Sequence, residues 1–496
     1  MNKLWHKYLI FGAFCVAIYF PVFLHLDWQP VNNWDESLFA MRAAYMAEEG
    51  HYIPNYSLWV ENGMRMPSTK PPFTTWVQVL SFKVFGINEQ ALRLPIALCF
   101  FLLLMSMVWF SRSKLGDIRI GYCAGFVLVT SLGFVREHGS RTGDHEAALA
   151  FYMMAGAMAF YNFLQATEKR QKIGWLSVLS AFTVACLLTK YVFGLVFFPA
   201  FLAYAIYKKQ LWNVVKDGAV WLALVVILAI SGGWLWYIEQ QLPGFVQRAF
   251  SHEMTDRFTS VIDYHQHSFS YYFMRFWAND YFTPWLFLLV GPVFFVFFGK
   301  KSPLRDFTVL MLACTVSALL TISFSQTKTA HYDVVAYPPM AMVAGIGLYQ
   351  LGAALWRLWQ ENMHRPTALA AAMFGLVVLV AMPYRAVFTR IYMPKLTTPM
   401  ESYGYLLRKI QKTKPGCKHF TIFSAVTSGQ VQFYAGLLNR KEGYQIKLSE
   451  HPKLTAVGDT VMACERQFVD TLFAHYELQP IETDGNCILA VAVAKK

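Results

Sequence analysis

Four groups of ionisable residues in this chain have the types and spacing that group transfer needs. Asn33-Trp34-Asp35-Glu36 sets two carboxylates side by side, and a carboxylate within hydrogen-bond reach of a hydroxyl can take its proton. Thr69-Lys70-Pro71-Pro72 holds a cation ahead of a stiff proline pair, and Arg93 adds a second positive charge; phosphate is the natural partner of both. Arg141-Thr142-Gly143-Asp144-His145-Glu146 concentrates acid, base and imidazole directly before an apolar run. His252-Glu253, Asp256-Arg257-Phe258, Lys328, His331 and Tyr332, with Lys190, make up the last group. Each has a plain structural alternative. Acids suit the first turn of a helix because of its dipole, His145 and Glu146 could be caps, and a lone lysine is commonly solvated. The chain carries no Walker loop, no GxGxxG after a strand, no GxSxG and no HExxH. Nucleotide-fed and zinc-protease chemistry are therefore disfavoured, and the bond energy must come from a substrate that is already activated.

The elements that hold these groups are apolar spans. The chain has 496 residues, 56% hydrophobic and 15% charged, against about 45–50% and 25% for a soluble domain. That charge deficit excludes a soluble enzyme of this size, and 17% aromatic residues exclude a disordered chain. A spanning helix needs about 20 apolar residues. The segments 9–24, 94–110, 120–135, 147–164, 173–188, 191–207, 219–238, 281–298, 307–324, 334–356 and 366–384 qualify, so the fold class is a polytopic α-helical membrane protein with about 11 transmembrane helices. The first segment reads as an uncleaved anchor, because His25-Leu26-Asp27 follows it in place of a small-residue cleavage site.

Charge orients the spans. With the N-terminus cytoplasmic, the inner junctions are short and basic: Arg112, Lys114 and Arg119; Lys169, Arg170 and Lys172; Lys208, Lys209 and Lys216; Lys300, Lys301 and Arg305. All four reactive groups then fall on the outer side, and the C-terminal tail is periplasmic. The net charge of +13 is mostly topology, with no nucleic-acid partner implied.

Residues 1–385 read as the membrane domain. Its first outer loop, 25–93, carries two interfacial helices, at 35–49 and from the prolines at 71 to 85. Residues 386–496 read as a small extramembrane α/β domain. Its strand-length apolar runs (419–426, 458–463, 486–494) alternate with polar helical stretches (399–412, 465–477). Two of Cys417, Cys464 and Cys487 could pair there, leaving one odd thiol.

The order of motifs carries a resemblance. A DE pair after the first span, KPPF, ALRLP, a basic-Asp loop before the fourth span, TKYVFG, HEMTDRF followed by FMRFWANDYFTPW, and SQTKTAHYDVVAYPPMAMVAG together resemble the C-type glycosyltransferases that use polyprenyl-phosphate sugars. More narrowly, they resemble the lipid A aminoarabinose transferase and protein mannosyltransferase-related family, over about residues 8–356. The resemblance implies a C-type glycosyltransferase fold in the bacterial inner membrane. It also implies a polyprenyl-phosphate sugar donor, a glycolipid or protein acceptor, and inversion at the sugar carbon. It makes Asp35 the carboxylate that takes the acceptor proton, with Glu36 and Asp144 as further catalytic acids. Lys70 would bind the lipid phosphate, and Arg93, His145, Lys190, His252, Arg257, Lys328 and Tyr332 would line the donor and acceptor cavity. A divalent metal near the outer-face carboxylates and His252 is a further expectation. One position departs: Thr69 stands where the aminoarabinose transferases carry a Glu before the KPP lysine, which bears on the sugar and on any metal site built there.

The alternative classes are a transporter or lipid-linked-sugar flippase, and a scaffold that binds through its outer domain. Transporters tend to show inverted repeats and charged or broken helices at mid-membrane. Here the span cores are free of charge and the ionisable groups lie at one face, which favours the enzyme.

Overall fold

The computed structural model describes residues 2–50, 52, 69–136, 138–262, 265–277, 282–361, 366–392, 398–425 and 428–496. The helices of the first half are α1 (Asn2–Phe23), α2 (Asp35–Glu49), α3 (Phe73–Phe85), α4 (Glu89–Phe110), α5 (Ile118–Val129) and α6 (Glu146–Gln165). They continue as α7 (Lys169–Lys190), α8 (Phe198–Tyr207), α9 (Gly218–Gln241), α10 (Val290–Phe298), α11 (Pro303–Phe324), α12 (Tyr337–Glu361) and α13 (Pro366–Tyr392). Seven helical stretches among the described residues are long and apolar enough to cross a bilayer, and four shorter apolar helices (Tyr8–Phe23, Ile118–Val129, Phe198–Tyr207, Phe287–Phe298) match the other predicted spans. The two interfacial helices form as α2 and α3.

Boundaries differ in two places for local reasons. The third span ends at Val129, because the hydroxyls of Thr130 and Ser131 bond back to the carbonyls of Phe126 and Val127 and a separate turn follows. The sixth begins at Phe198, not at 191. Tyr191 takes a left-handed φ of 47°, and residues Tyr191–Leu195 form a tight turn that extends α7.

Helix α6 is the hub, with 94% of its apolar window buried, whereas none of the α9 window is. Helix α9 accordingly presents Trp221, Leu222, Val225 and Leu228 outward, an arrangement that suits lipid and not water. Helices α5 and α12 meet through small residues: a Cβ on Gly345 would come 2.4 Å from Ala124 Cα, the close backbone approach typical of spanning helices. Junctions read as cytoplasmic meet one another. Lys208 Nζ is 2.6 Å from Asp306 Oδ2, and the Tyr349 hydroxyl donates to Asp117.

The tail comprises α14 (Pro399–Thr413), β1 (His419–Phe423), α15 (Gly429–Lys441), β2 (Gln445–Ser449), β3 (Thr460–Ala463), α16 (Arg466–His475), β4 (Tyr476–Asp484) and β5 (Cys487–Lys495). The sheet order is β2-β1-β3-β5-β4, parallel for β2-β1-β3 and antiparallel for the rest. The two strands absent from the sequence reading, β2 and β4, are its edges. Edge strands tolerate polar residues and proline, and Pro480 sits in β4. Helix α15 went unread for a related reason: it buries Gln430 and Gln432.

The tail shares a core with the first outer loop, in which Tyr403, Leu406, Leu407 and Val431 pack with Ala40, Met41 and Ala44 of α2. Polar groups seal the seam. Gln430 donates to the Val31 carbonyl and accepts from the Gly404 N–H, and the Tyr434 hydroxyl accepts from the Val31 N–H.

Cys464 and Cys487 form a disulfide at 23 residues' separation, and Cys417 is left as a thiol. On loop-closure entropy, a Cys464→Ser/Cys487→Ser variant should lose about 3 kcal/mol. Thermal unfolding of the purified protein measures this, and Cys417→Ser should leave the midpoint unchanged.

Candidate active site

The outer loops meet at one end of the bundle, and a buried ion pair sets their geometry. Arg93, near the start of α4, donates from Nε to Glu36 Oε1 at 2.6 Å and from Nη2 to Oε2 at 3.0 Å. Its remaining donors reach the carbonyls of Leu26, Gln29 and Pro30 at 2.7–2.9 Å. Glu36 also accepts from the N–H groups of Asn32 and Gly143, both at 2.7 Å. Burial pushes the Glu36 carboxyl up, but the Arg93 charge and these hydrogen bonds outweigh it and hold the group below its ordinary range. The pair thus ties residues 26–36, α4 and the 136–146 loop together, and leaves its neighbour Asp35 on the open side.

Beside it lies a cavity of about 280 Å³, lined by Lys70, Lys190, Glu253, Arg257 and Tyr332 at its polar end and by Val192, Phe193, Val196 and Ile322 along its wall. Lys70 Nζ is 2.6 Å from Glu253 Oε2, whose other oxygen accepts from Thr69 at 2.7 Å. Arg257 donates to the Tyr332 hydroxyl at 2.6 Å, and its Nε is 3.6 Å from Glu253. Burial raises the Glu253 carboxyl, but Lys70 and Arg257 more than reverse this and keep it well below the carboxylate range. Two cations therefore share one carboxylate. Lys190 lies over the rings of Phe193 and Tyr332, each at 4.9 Å, and pairs with Glu146 at 2.7 Å. The loop holding Arg257 is fixed by its neighbour: Ser325 Oγ and the Thr327 N–H both donate to the Arg257 carbonyl.

Asp35 is partly exposed and faces His138, His331 and Lys70. Burial raises its carboxyl, and the neighbouring His331, Lys70 and His138 more than reverse this and hold it below the ordinary value, so it is ionised at neutral pH. Asp144 is buried; its Oδ2 accepts from Thr142 at 2.6 Å and its Oδ1 lies 3.4 Å from His138 Nδ1. Burial lowers His138, but Asp144 and Asp35 push it up to about 10.

The sequence-derived residues thus separate by role. Lys70, Lys190, Arg257 and Tyr332 come together at the cavity, and Asp35 and Asp144 stand beside it around His138. Glu36 and Arg93 instead saturate each other, which corrects a catalytic role for the first and a ligand role for the second. His145 is buried, stacked on Phe39 at 3.8 Å and beside Gln78 Oε1. Burial lowers it to about 3, so it is a neutral packing group and not a substrate ligand. Lys328 donates to the Ser325 carbonyl at 2.5 Å and is absent from the cavity lining; it braces its loop. The side chain of His252 lies outside the described ones.

Three contributors were not read as site residues. Glu253 stood in a recognised cluster. His138 is a lone imidazole in a short loop, with only its outer location as a signal. Arg42, one face along α2 from Asp35, is a buried cation whose charge is felt by Asp35 and Glu253.

The fold, a bundle of apolar helices with a polar cavity at its outer loops and a small α/β domain, is the one seen in solved C-type glycosyltransferases. A crystal structure of ArnT from Cupriavidus metallidurans bound to undecaprenyl phosphate superposes with a TM-score of 0.71 at 17% identity, covering 97% of this chain and 98% of that one. The Archaeoglobus fulgidus oligosaccharyltransferase in its apo form gives 0.52 at 13% identity, covering 91% and 66%. Residues 69–237 match the family described as dolichyl-phosphate-mannose-protein mannosyltransferase. The chain is also 26% identical over 374 residues to the undecaprenyl phosphate-alpha-4-amino-4-deoxy-L-arabinose arabinosyl transferase of Aeromonas salmonicida. That alignment takes in 74% of this chain and 64% of the relative, so the match spans a little under two thirds of the relative's length.

Replacing Arg93 with Met leaves a charged Glu36 unpaired in a dry site, and the expected cost is about 3–5 kcal/mol. A Glu36→Gln/Arg93→Met double variant should recover part of it; thermal unfolding in detergent decides. The clamp contribution belongs to ionised Glu36, so it is present above the ordinary value of 4.5 and is lost as pH falls through the lower folded value. The stability gap between wild type and Glu36→Gln should therefore narrow on acidification below that point.

Proposed function

We propose that this protein is an inner-membrane glycosyltransferase that moves a sugar from a polyprenyl phosphate to an acceptor oxygen on the periplasmic face. The observation that carries the reading is the cavity itself. It pairs phosphate-binding groups (Lys70, Arg257, Lys190, Tyr332) with an apolar wall long enough to begin a lipid chain, next to an ionised and partly exposed Asp35.

The roles follow from charge. The acceptor hydroxyl gives its proton to Asp35 as its oxygen bonds to the sugar carbon. The bond from that carbon to the phosphate oxygen breaks, and its electron pair stays on the leaving polyprenyl phosphate. Lys70 and Arg257 meet that growing negative charge, the term preorganised sites use most effectively. Attack from the face opposite the phosphate inverts the sugar carbon.

The N-terminus is assigned to the cytoplasm and the tail to the periplasm on the basic junctions, and the Cys464–Cys487 bridge suits an oxidising compartment. The donor reading agrees with the name of the Aeromonas salmonicida relative, an undecaprenyl-phosphate sugar transferase, and the acceptor is assigned to an envelope glycolipid or protein on the motif resemblance. The flippase reading is weaker, because a flippase needs polar groups through the bilayer and here they cluster at one end.

Two variants test the division of labour. Asp35→Asn keeps size but cannot accept the proton, so turnover should fall by about two to four orders of magnitude while the polyprenyl phosphate still binds. Lys70→Ala should lose both binding and transfer. Measurement uses radiolabelled lipid-linked sugar and extracted envelope lipid; full transfer by either variant would defeat the assigned role.

A further inference from the structure

Helix α2 carries a charge that the rest of the molecule leaves unanswered. Arg42 is 8% exposed, and among the described residues no hydrogen bond or ion pair reaches its guanidinium. A buried cation is costly unless it is paired and hydrogen-bonded. Arg93, Lys190 and Arg275, on the same side of the molecule, each have a carboxylate in contact, at 2.6, 2.7 and 2.9 Å. Arg42 has only the ring of Phe39, 5.8 Å from its Cζ, and that ring is also stacked on the neutral His145. Burial brings the guanidinium down to about 10, so it keeps its charge at neutral pH. The acids whose charge it feels are Asp35 and Glu253, and both are engaged elsewhere. Asp35 faces His138 at 3.9 Å, and Glu253 is held by Lys70, Arg257 and Thr69. A cation fully committed to structure would have its counter-ion in the chain; this one is left waiting for an anion.

Its place says which anion. Seven residues of helix turn by about 700° and rise about 10.5 Å, so Arg42 lies on the same face of α2 as Asp35, two turns on. Long side chains on a helix lean toward its N-terminus, which here is the Asp35 end. On the transferase reading, the sugar carbon is bonded to a phosphate oxygen held by Lys70 and Arg257 and is attacked by an oxygen whose proton goes to Asp35. The sugar therefore occupies the space between Asp35 and the Lys70–Glu253–Arg257 group, the two centres whose charges Arg42 feels. The lipid phosphate already has its own cations, so the group left for Arg42 belongs to the sugar.

We propose that Arg42 is a specificity-determining residue that binds an oxyanion substituent on the transferred sugar, a carboxylate of the uronic-acid kind. The guanidinium fork meets a carboxylate through two parallel N–H···O bonds, and a neutral sugar would leave it buried and bare. The inference rests on the transferase reading and adds the sign of the sugar's charge to it.

The probes are glucuronic acid and glucose, each linked to the same short polyprenyl phosphate, and the unglycosylated polyprenyl phosphate. Full-length protein in nanodiscs should bind the glucuronate lipid at least tenfold more tightly than the glucose lipid, the order expected of one charge-assisted bidentate contact. Arg42→Met should erase that preference and bind the unglycosylated lipid phosphate as the wild type does; Arg42→Lys, which keeps the charge without the fork, should retain part of it. Thermal unfolding without ligand gives an independent readout. Removing an unpaired buried charge should raise the Arg42→Met midpoint, whereas a structural arginine would lower it. No preference in the wild type, a preference kept in Arg42→Met, or a lowered midpoint with loss of all three lipids would overturn the proposal. So would an Arg42-dependent preference found only between diphosphoryl and dephosphorylated lipid A, which would move the anion from the donor to the acceptor. Transfer of label from native lipid-linked sugars to envelope lipid or protein, measured in parallel, separates this idea from the function. Arg42-dependent selectivity without transfer would leave the subsite standing and remove the transferase reading. Transfer without that selectivity would do the reverse.

Discussion

The Glu36–Arg93 pair is the interaction on which the outer half of the molecule depends. A guanidinium at the mouth of a spanning helix cannot stay bare in an apolar setting, because the desolvation of a single charge costs several kcal/mol. Here it is met by one carboxylate and three backbone carbonyls, and that carboxylate is completed by two backbone N–H groups. The partners come from three stretches, so satisfying one charge fixes the chain leaving α1, the start of α2 and the loop before α6. Adjacent residues on a helix point about 100° apart. Once Glu36 is turned inward to Arg93, Asp35 is turned outward to the site. The tail rests on the same scaffold, since Gln430 and Tyr434 bond to Val31 within the segment that Arg93 folds.

The parts of the fold that hydrophobicity dictates were legible. Eleven charge-free runs correspond to eleven apolar helices among the described residues, because a bilayer demands continuous apolar length and tolerates few exceptions. Shorter features escaped where burial and polarity part company. Helix α15 hides two glutamines behind hydrogen bonds, and strand β4 is polar because it is an edge. At the site, residue type and sidedness identified Asp35, Lys70, Lys190, Arg257 and Tyr332, but could not say which charges are spent on one another. Glu36 and Asp35 are chemically alike and adjacent, and only the position of Arg93 in space separates a structural acid from a reactive one. His145 and His138 make the same point in reverse. The histidine inside the conspicuous Asp-His-Glu run is packed and neutral, while the inconspicuous one faces two carboxylates.

The cavity also carries its own counter-ions. Lys70 and Arg257 would be costly to hold empty-handed at the edge of an apolar bundle, and Glu253 neutralises both. On the proposed transferase reading, a lipid phosphate entering the cavity competes with that carboxylate for the same two cations, so donor affinity would be a difference between two charged states and not the sum of the phosphate contacts. On that reading the balance would favour release, since Glu253 can take the cations back when the phosphate departs.

This balance gives the Thr at position 69 a physical meaning. Thr69 Oγ1 donates to Glu253 Oε1 at 2.7 Å while Lys70 holds the other oxygen at 2.6 Å, so the acid beside the phosphate lysine arrives from the 239–280 loop. A Glu at position 69, as in the aminoarabinose transferases, would set a second carboxylate against Glu253, a like-charge contact that favours protonation of one of them. The hydroxyl avoids that conflict and supplies a donor where an acid would supply only an acceptor. The departure from the relatives' pattern is therefore a coupled change in where one negative charge enters the site, next to the lysine that the proposed function gives to the lipid phosphate.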